Sequence, residues 1–254
     1  MMSLEHMENE AIGFIVEHAK EPYRLYFSGG RGSCVVRHLL LRSGVPYTGT
    51  FRRSGHELNE LTDFISQFGD ITMTDPERAL LQMVGEREFL PTPGNKYCCA
   101  DSWNDLISAE GSVGIRGVTR KPGRIMTRTH RDRSGRIANI DPILEWDEDM
   151  IRAYIEKYSL ITSPEQNSAG QFSCIVCPLH NDISAYNFNE HMAIWSDRPE
   201  QLQMQRDASD RSYEILKAKN YPILAKDKDE YFKKWCCKEK LVGGVESIVE
   251  VQNE

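Results

Sequence analysis

Residues 23–41, read as Tyr23-Arg24-Leu25-Tyr26-Phe27-Ser28-Gly29-Gly30-Arg31-Gly32-Ser33-Cys34-Val35-Val36-Arg37-His38-Leu39-Leu40-Leu41, decide the fold. Tyr23 to Phe27 is short, aromatic and bounded by turn formers, which predicts a buried strand. A glycine loop, Ser28 to Ser33, follows at once. Cys34 to Leu41 then predicts a helix stopped by Ser43-Gly44, and Tyr47 to Phe51 is the next strand candidate. Strand, loop, helix and strand in so short a span form the repeating unit of a parallel sheet.

The alternation extends in both directions. Upstream, Met7, Ala11, Phe14, Ile15 and His18 recur at helical spacing and predict an amphipathic helix ending before Pro22. Downstream, a helix over Glu57 to Phe68 precedes a strand over Asp70 to Met73, and Asp75-Pro76 starts a further helix. Ser112 to Ile115 and Ile137 to Ile140 read as two more strands. Trp146-Asp147-Glu148-Asp149 supplies an N-cap and first-turn carboxylates for a helix through Tyr158. From Ser184 onward the pattern is helical, over Ser184 to Trp195, Pro199 to Lys219 and Lys226 to Cys237. The expected architecture is a three-layer α/β domain over residues 1–178, with a mostly parallel central sheet, followed by a helical C-terminal extension over 179–254.

At 254 residues, 40% hydrophobic and 27% charged, the chain has the composition of a folded globular protein. No stretch reaches the roughly 18 consecutive apolar residues of a membrane-spanning helix. The polar, acidic start lacks the apolar run of a secretory signal, so the expected location is cytoplasmic, with no membrane partner. Seven cysteines in a reducing compartment do not predict a disulfide framework. The net charge of −7 argues against binding nucleic acid over the whole surface. Within residues 116–136, however, Arg116, Arg120, Lys121, Arg124, Arg128, Arg131, Arg133 and Arg136 face only Asp132, which predicts a local anion-binding segment, for a small ligand or for nucleic acid.

In an open parallel sheet, ligands bind beyond the carboxyl ends of the strands, where a glycine loop opening a helix offers bare N–H groups to phosphate. Ser28, Gly29, Gly30, Arg31, Gly32 and Ser33 occupy that position, without the Lys-Ser/Thr ending of a Walker loop or the spacing of a dinucleotide fingerprint. The cysteines form a second constellation: Cys98-Cys99, then Cys174 and Cys177 in a CxxC, then Cys236-Cys237, with Cys34 alone. The first four thiolates meet the requirement of a 4Fe-4S cluster or of a structural zinc, and unliganded thiols are the remaining alternative. Adjacent cysteines suit a compact tetrahedral zinc poorly, which favours the cluster.

Ser28-Gly29-Gly30 after the first strand resembles the PP-loop of the adenine nucleotide alpha-hydrolase-like superfamily. The resemblance continues through Lys96-Tyr97-Cys98-Cys99, Gly114-Ile115-Arg116 followed by Arg124, Asp141-Pro142 with Trp146, the helix ending in Tyr158, and Cys174-Ile175-Val176-Cys177-Pro178. In order and rough spacing these are similar to the adenylyl-sulfate and phosphoadenylyl-sulfate reductases. The resemblance implies an enzyme that binds an adenylyl nucleotide through Ser28 to Ser33, Arg116 and Arg124. It also implies a 4Fe-4S cluster on Cys98, Cys99, Cys174 and Cys177, and a thioredoxin-like reductant.

Three departures qualify it. Gly32 stands where the ATP pyrophosphatase version of the loop, SGGxDS, carries aspartate. No Glu-Cys-Gly-x-His occurs near the C-terminus, and Trp235-Cys236-Cys237-Lys238 stands there instead. The basic residue expected shortly after the first cysteine pair is replaced by Ser102-Trp103-Asn104. Cys236 and Cys237 are accordingly the candidate nucleophiles, with Lys233, Lys234, Lys238 and Lys240 expected to favour a thiolate. The alternatives are an adenylating sulfur-transfer enzyme acting on DNA or RNA and a degenerate, non-catalytic nucleotide-binding module.

Overall fold

The structure, a computed structural model, describes residues 3–53, 57, 59–75, 79–92, 95–98, 112–120, 125–163 and 187–243. The chain divides into two compact units, each drawn from three segments. The first comprises Met1–Arg52, Glu60–Thr74 and Asp105–Ala169, and the second Arg53–Asn59, Asp75–Asn104 and Gly170–Glu254. The boundary expected at 178/179 lies outside the described residues. The segment 75–104, expected within the α/β part, groups with the helical unit instead.

In the first unit, helix α1 (Leu4–His18) leads into strand β1 (Tyr23–Tyr26), α2 (Arg31–Ser43) and β2 (Tyr47–Arg52). Helix α3 (Asn59–Ser66) and β3 (Ile71–Thr74) follow, then β4 (Gly114–Arg116), β5 (Thr129–Arg131), β6 (Ile137–Ile140) and α5 (Glu148–Tyr158). The six strands lie in the order β3-β2-β1-β4-β6-β5, all parallel to their neighbours except β5, which runs antiparallel to β6. The expected α/β class thus holds: a mostly parallel sheet flanked by helices. β1 is central and its apolar residues are buried, as the aromatic run predicts. Gly44, at φ +70°, ends α2 where Ser43-Gly44 foretold the stop. The Asp147 side chain accepts from the Met150 N–H and so caps α5.

β5 was not foreseen. Thr129-His130-Arg131 is short and polar, with no apolar alternation, and is a strand only because β6 supplies its hydrogen-bond partners.

Three helices of the first unit, α1, α2 and α5, are tied by one buried carboxylate. Glu8 on α1 accepts from Arg42 on α2 at 2.9 Å, and from Lys157 and Tyr158 on α5 at 2.8 Å each. Burial alone would push its carboxyl up, but these three donors outweigh that and hold it below its ordinary value of 4.5.

The second unit is helical: α4 (Leu80–Arg87), α6 (Phe188–Trp195), α7 (Pro199–Ala218) and α8 (Lys228–Cys236). Its core gathers Leu80, Val84, Tyr97, Trp195, Tyr213, Leu216, Tyr231, Phe232 and Trp235. The polar ends of the buried aromatics find partners. Trp235 Nε1 donates to the Pro91 carbonyl at 2.8 Å, and the Tyr231 hydroxyl lies 3.0 Å from Ser212 Oγ. A single antiparallel bridge, Ile223 to Val242, interrupts a segment read as wholly helical. Among the described residues no helix is long and apolar enough to cross a membrane.

Candidate nucleotide site

From β1 the chain passes through α2 to β2 on one side, and β4 occupies the other side of β1. This is a topological switch point, and in open α/β sheets ligands bind beyond the strand ends at such a point. Ser28 to Gly30 form the loop after β1, and Arg31 to Ser33 the first turn of α2. Gly29 takes φ +77°, a left-handed conformation that favours glycine. Gly30 is the N-cap of α2 and has no side chain to cap with, and the first turn of the helix carries no acidic residue. Its leading N–H groups are therefore available to an anion. Within the loop, Ser33 Oγ donates to the Gly30 carbonyl at 2.8 Å, the Gly30 N–H donates to Ser28 Oγ at 3.3 Å, and the two hydroxyls lie 3.3 Å apart. Ser163 N–H reaches the Gly29 carbonyl at 3.5 Å. Arg31 forms an ion pair with Glu148 at the start of α5.

Gly32 now has a physical reason. A Cβ there would lie 2.2 Å from the Gly117 carbonyl oxygen, and one on Gly117 would lie 2.2 Å from the Gly32 carbonyl carbon. The first turn of α2 and the segment leaving β4 touch backbone to backbone, so the aspartate of the SGGxDS pattern would clash in this chain. Gly117 gave no signal in the sequence, because its partner is distant along the chain.

Arg116 ends β4 beside that contact. Its guanidinium grips Asp141 in a fork, Nε to Oδ1 at 2.8 Å and Nη2 to Oδ2 at 2.7 Å. Asp141, directly after β6, is wholly buried, and its Oδ2 also lies 2.8 Å from His130 Nε2. Arg116 was expected as a free anion ligand, whereas here part of its donor set is committed to a carboxylate. Arg124 lies outside the described residues.

The basic segment is less basic in space than along the chain. Arg116, Arg120, Arg128 and Arg136 pair with Asp141, Glu145, Glu10 and Asp132. Arg128 also stacks on the Phe14 ring, and Arg131 donates to the Gly135 carbonyl at 2.7 Å. The sequence count missed this because two of the four partner carboxylates follow the segment and Glu10 lies on α1.

Of the four expected cluster ligands, only Cys98 is among the described residues, half-buried against the helical core; Cys99, Cys174 and Cys177 lie outside them. Four thiolates are a soft donor set that fits an iron–sulfur cluster or zinc. Among the described residues no group of three or more His, Cys, Asp or Glu side chains is placed to hold a metal. Cys236 is fully buried at the end of α8 and Cys237 is partly buried after it. Burial, reinforced by Cys237, pushes the Cys236 thiol well up; burial and Glu239 raise Cys237 despite the opposing Lys233 charge. Both shifts run opposite to the one expected from the neighbouring lysines. Cys34, in the core of the first unit, is pushed up to about 12 by burial.

No family model matches the chain, and no curated protein does. A number of solved structures are similar to it, two of them as follows. One is phosphoadenylyl-sulfate reductase from Candida auris in complex with phosphate, 12% identical, with 67% of this chain and 94% of that chain covered and a TM-score of 0.47. The other is yeast FAD synthetase in complex with FAD, 14% identical, with 60% of this chain and 57% of that chain covered and a TM-score of 0.43.

Proposed function

We propose that the chain is an enzyme that binds an adenylyl nucleotide at the N-terminus of α2, beyond the ends of β1 and β4, and that it reduces a sulfonucleotide there. One observation carries this reading: the uncapped N-terminus of α2, opened by a glycine loop at the switch point of a parallel sheet. In this reading Ser28 to Ser33 cradle the alpha-phosphate, and Arg116 and Arg124 hold sulfate or phosphate oxygens. A cysteine thiolate attacks the sulfur, the bond from sulfur to the phosphate-bridging oxygen breaks, and the nucleotide phosphate leaves. The resulting thiosulfonate takes two electrons from a thioredoxin-like dithiol and releases sulfite. Cys98, Cys99, Cys174 and Cys177 would hold a 4Fe-4S cluster, whose contribution there would be electrostatic.

Calorimetric titration with adenylyl sulfate, its 3′-phosphorylated form and ATP tests the binding. Arg116→Ala is expected to weaken it by about 1.5–3 kcal/mol, the scale of a hydrogen bond to a charged group. Unchanged affinity would remove Arg116 from the site.

The raised thiols of Cys236 and Cys237 favour a second reading, a nucleotide-binding module without reductase activity. Incubation with sulfur-labelled adenylyl sulfate separates the two. The reductase reading expects label on the protein that thiol reductant releases as sulfite, and that Cys237→Ser, at the more exposed of the pair, abolishes. Nucleotide binding without label supports the module.

A further inference from the structure

We propose that the helical unit carries an anion site of its own, a cavity of about 680 Å³ bounded by α6, α7 and α8 that takes a small phosphate-bearing molecule. Its volume falls in the range of small-molecule pockets, and it shares no residue with the candidate site at α2. The lining holds four cations and four carboxylates, so its formal charge is balanced, but the two signs are engaged differently. Every carboxylate already accepts. Asp229 takes Arg206 Nη1 at 3.0 Å, and Glu239 takes Lys234 Nζ at 3.1 Å. Asp227 accepts from the Glu230 N–H at 2.8 Å and Glu230 from the Lys226 N–H at 2.9 Å, which sets both at the positive end of α8. Among the described residues the ammonium groups of Lys226 and Lys233, by contrast, have no acidic partner. Lys233 lies over the Phe188 ring, 5.4 Å from its centre, and an aromatic face orients an ammonium without cancelling its charge. An anion entering the cavity thus meets two ready donors, whereas a cation would have to displace a partner from each carboxylate it met.

The free donors narrow the ligand class. The Arg206 guanidinium is held by Asp229 and stacks on the Phe232 ring at 4.6 Å, so its planar fork is not left open to match a carboxylate. Lys226 and Lys233 are compact point charges, which suit the charge spread over the oxygens of a phosphate group. The volume leaves room for an organic body beyond that group, so the ligand class is a phosphorylated small molecule.

The probe is pyrophosphate, titrated into the isotope-labelled full chain with sodium chloride at matched ionic strength as the control. The amide resonances of Lys226, Lys233 and Lys234 are expected to shift and saturate with pyrophosphate and to stay in place with chloride. Those of Gly30 to Ser33 report the α2 site separately, so the fate of the nucleotide reading does not decide the outcome here. Lys226→Gln and Lys233→Gln are each expected to raise the dissociation constant read from the α8 resonances about tenfold, the loss of one charge-assisted contact. Lys226 is exposed and outside the core, so its replacement leaves the fold intact. Resonances that do not move, that move equally with chloride, or that return the same dissociation constant in Lys226→Gln would each overturn the proposal.

Discussion

The core around Leu25 and the core around Trp235 bury apolar surface with different materials. The first sets Leu25, Val35, Val36, Leu39, Ile115 and Ile140 against a parallel sheet. The second packs Tyr97, Trp195, Tyr213, Tyr231, Phe232 and Trp235 among helices. Parallel strands all end on one edge of the sheet, so residues far apart in sequence, such as Gly32, Arg116 and Asp141, converge there without further design. Helices packed on one another have no common edge, and their cysteines fare accordingly: Cys236 is buried with its thiol pushed well up, and Cys98 and Cys237 lie at the margin of the same core.

Trp235→Ala probes the contrast most severely. Removing a buried indole that also donates to the Pro91 carbonyl should cost about 3–5 kcal/mol. Hydrogen exchange should then rise in α7 and α8 while β1 and β4 keep their protection. Equal loss of protection in both units would show that the two cores melt as one.

Gly32→Ala acts on the first unit alone. Its Cβ would meet backbone, which cannot swing away as a side chain can, so a cost of about 1–3 kcal/mol is expected together with loss of nucleotide binding. Normal affinity in that variant, measured by calorimetry, would mean that the Gly32 to Gly117 approach does not shape the site.

Glu8→Gln gives the smallest effect, about 1–2 kcal/mol at neutral pH, since Arg42 and Lys157 are partly exposed and screened. The Glu8 carboxyl is held below its unfolded value, so its contribution is complete above about 4.5 and fades as pH falls through the lower folded value. Urea unfolding at several pH values should therefore show the gap between the two proteins closing with acid. A gap that widens in acid would place the stabilisation elsewhere.

Local patterning carried most of the fold. The β1 aromatics, the Ser43-Gly44 stop and the Asp147 cap each act through neighbours within a few residues, so their reading needed no partner from elsewhere. The candidate loop was legible for the same reason. By contrast, the basic segment misled because charge counted along a chain ignores carboxylates that folding brings to it, and the lysines near the Cys236-Cys237 pair misled because burial outweighs the Lys233 charge at Cys237.

What the sequence by itself determined is the alternation of elements, and with it a parallel sheet with a glycine loop at the end of its central strand, because strand and helix periodicity are properties of consecutive residues. Only the tertiary structure decided that β5 exists, that 75–104 joins the helical unit, that Gly32 faces Gly117, and that Asp141 holds Arg116 and His130 together. Each of these depends on contacts beyond the reach of neighbouring residues, whose energy depends on separation in space and on burial, and neither quantity is written in residue order.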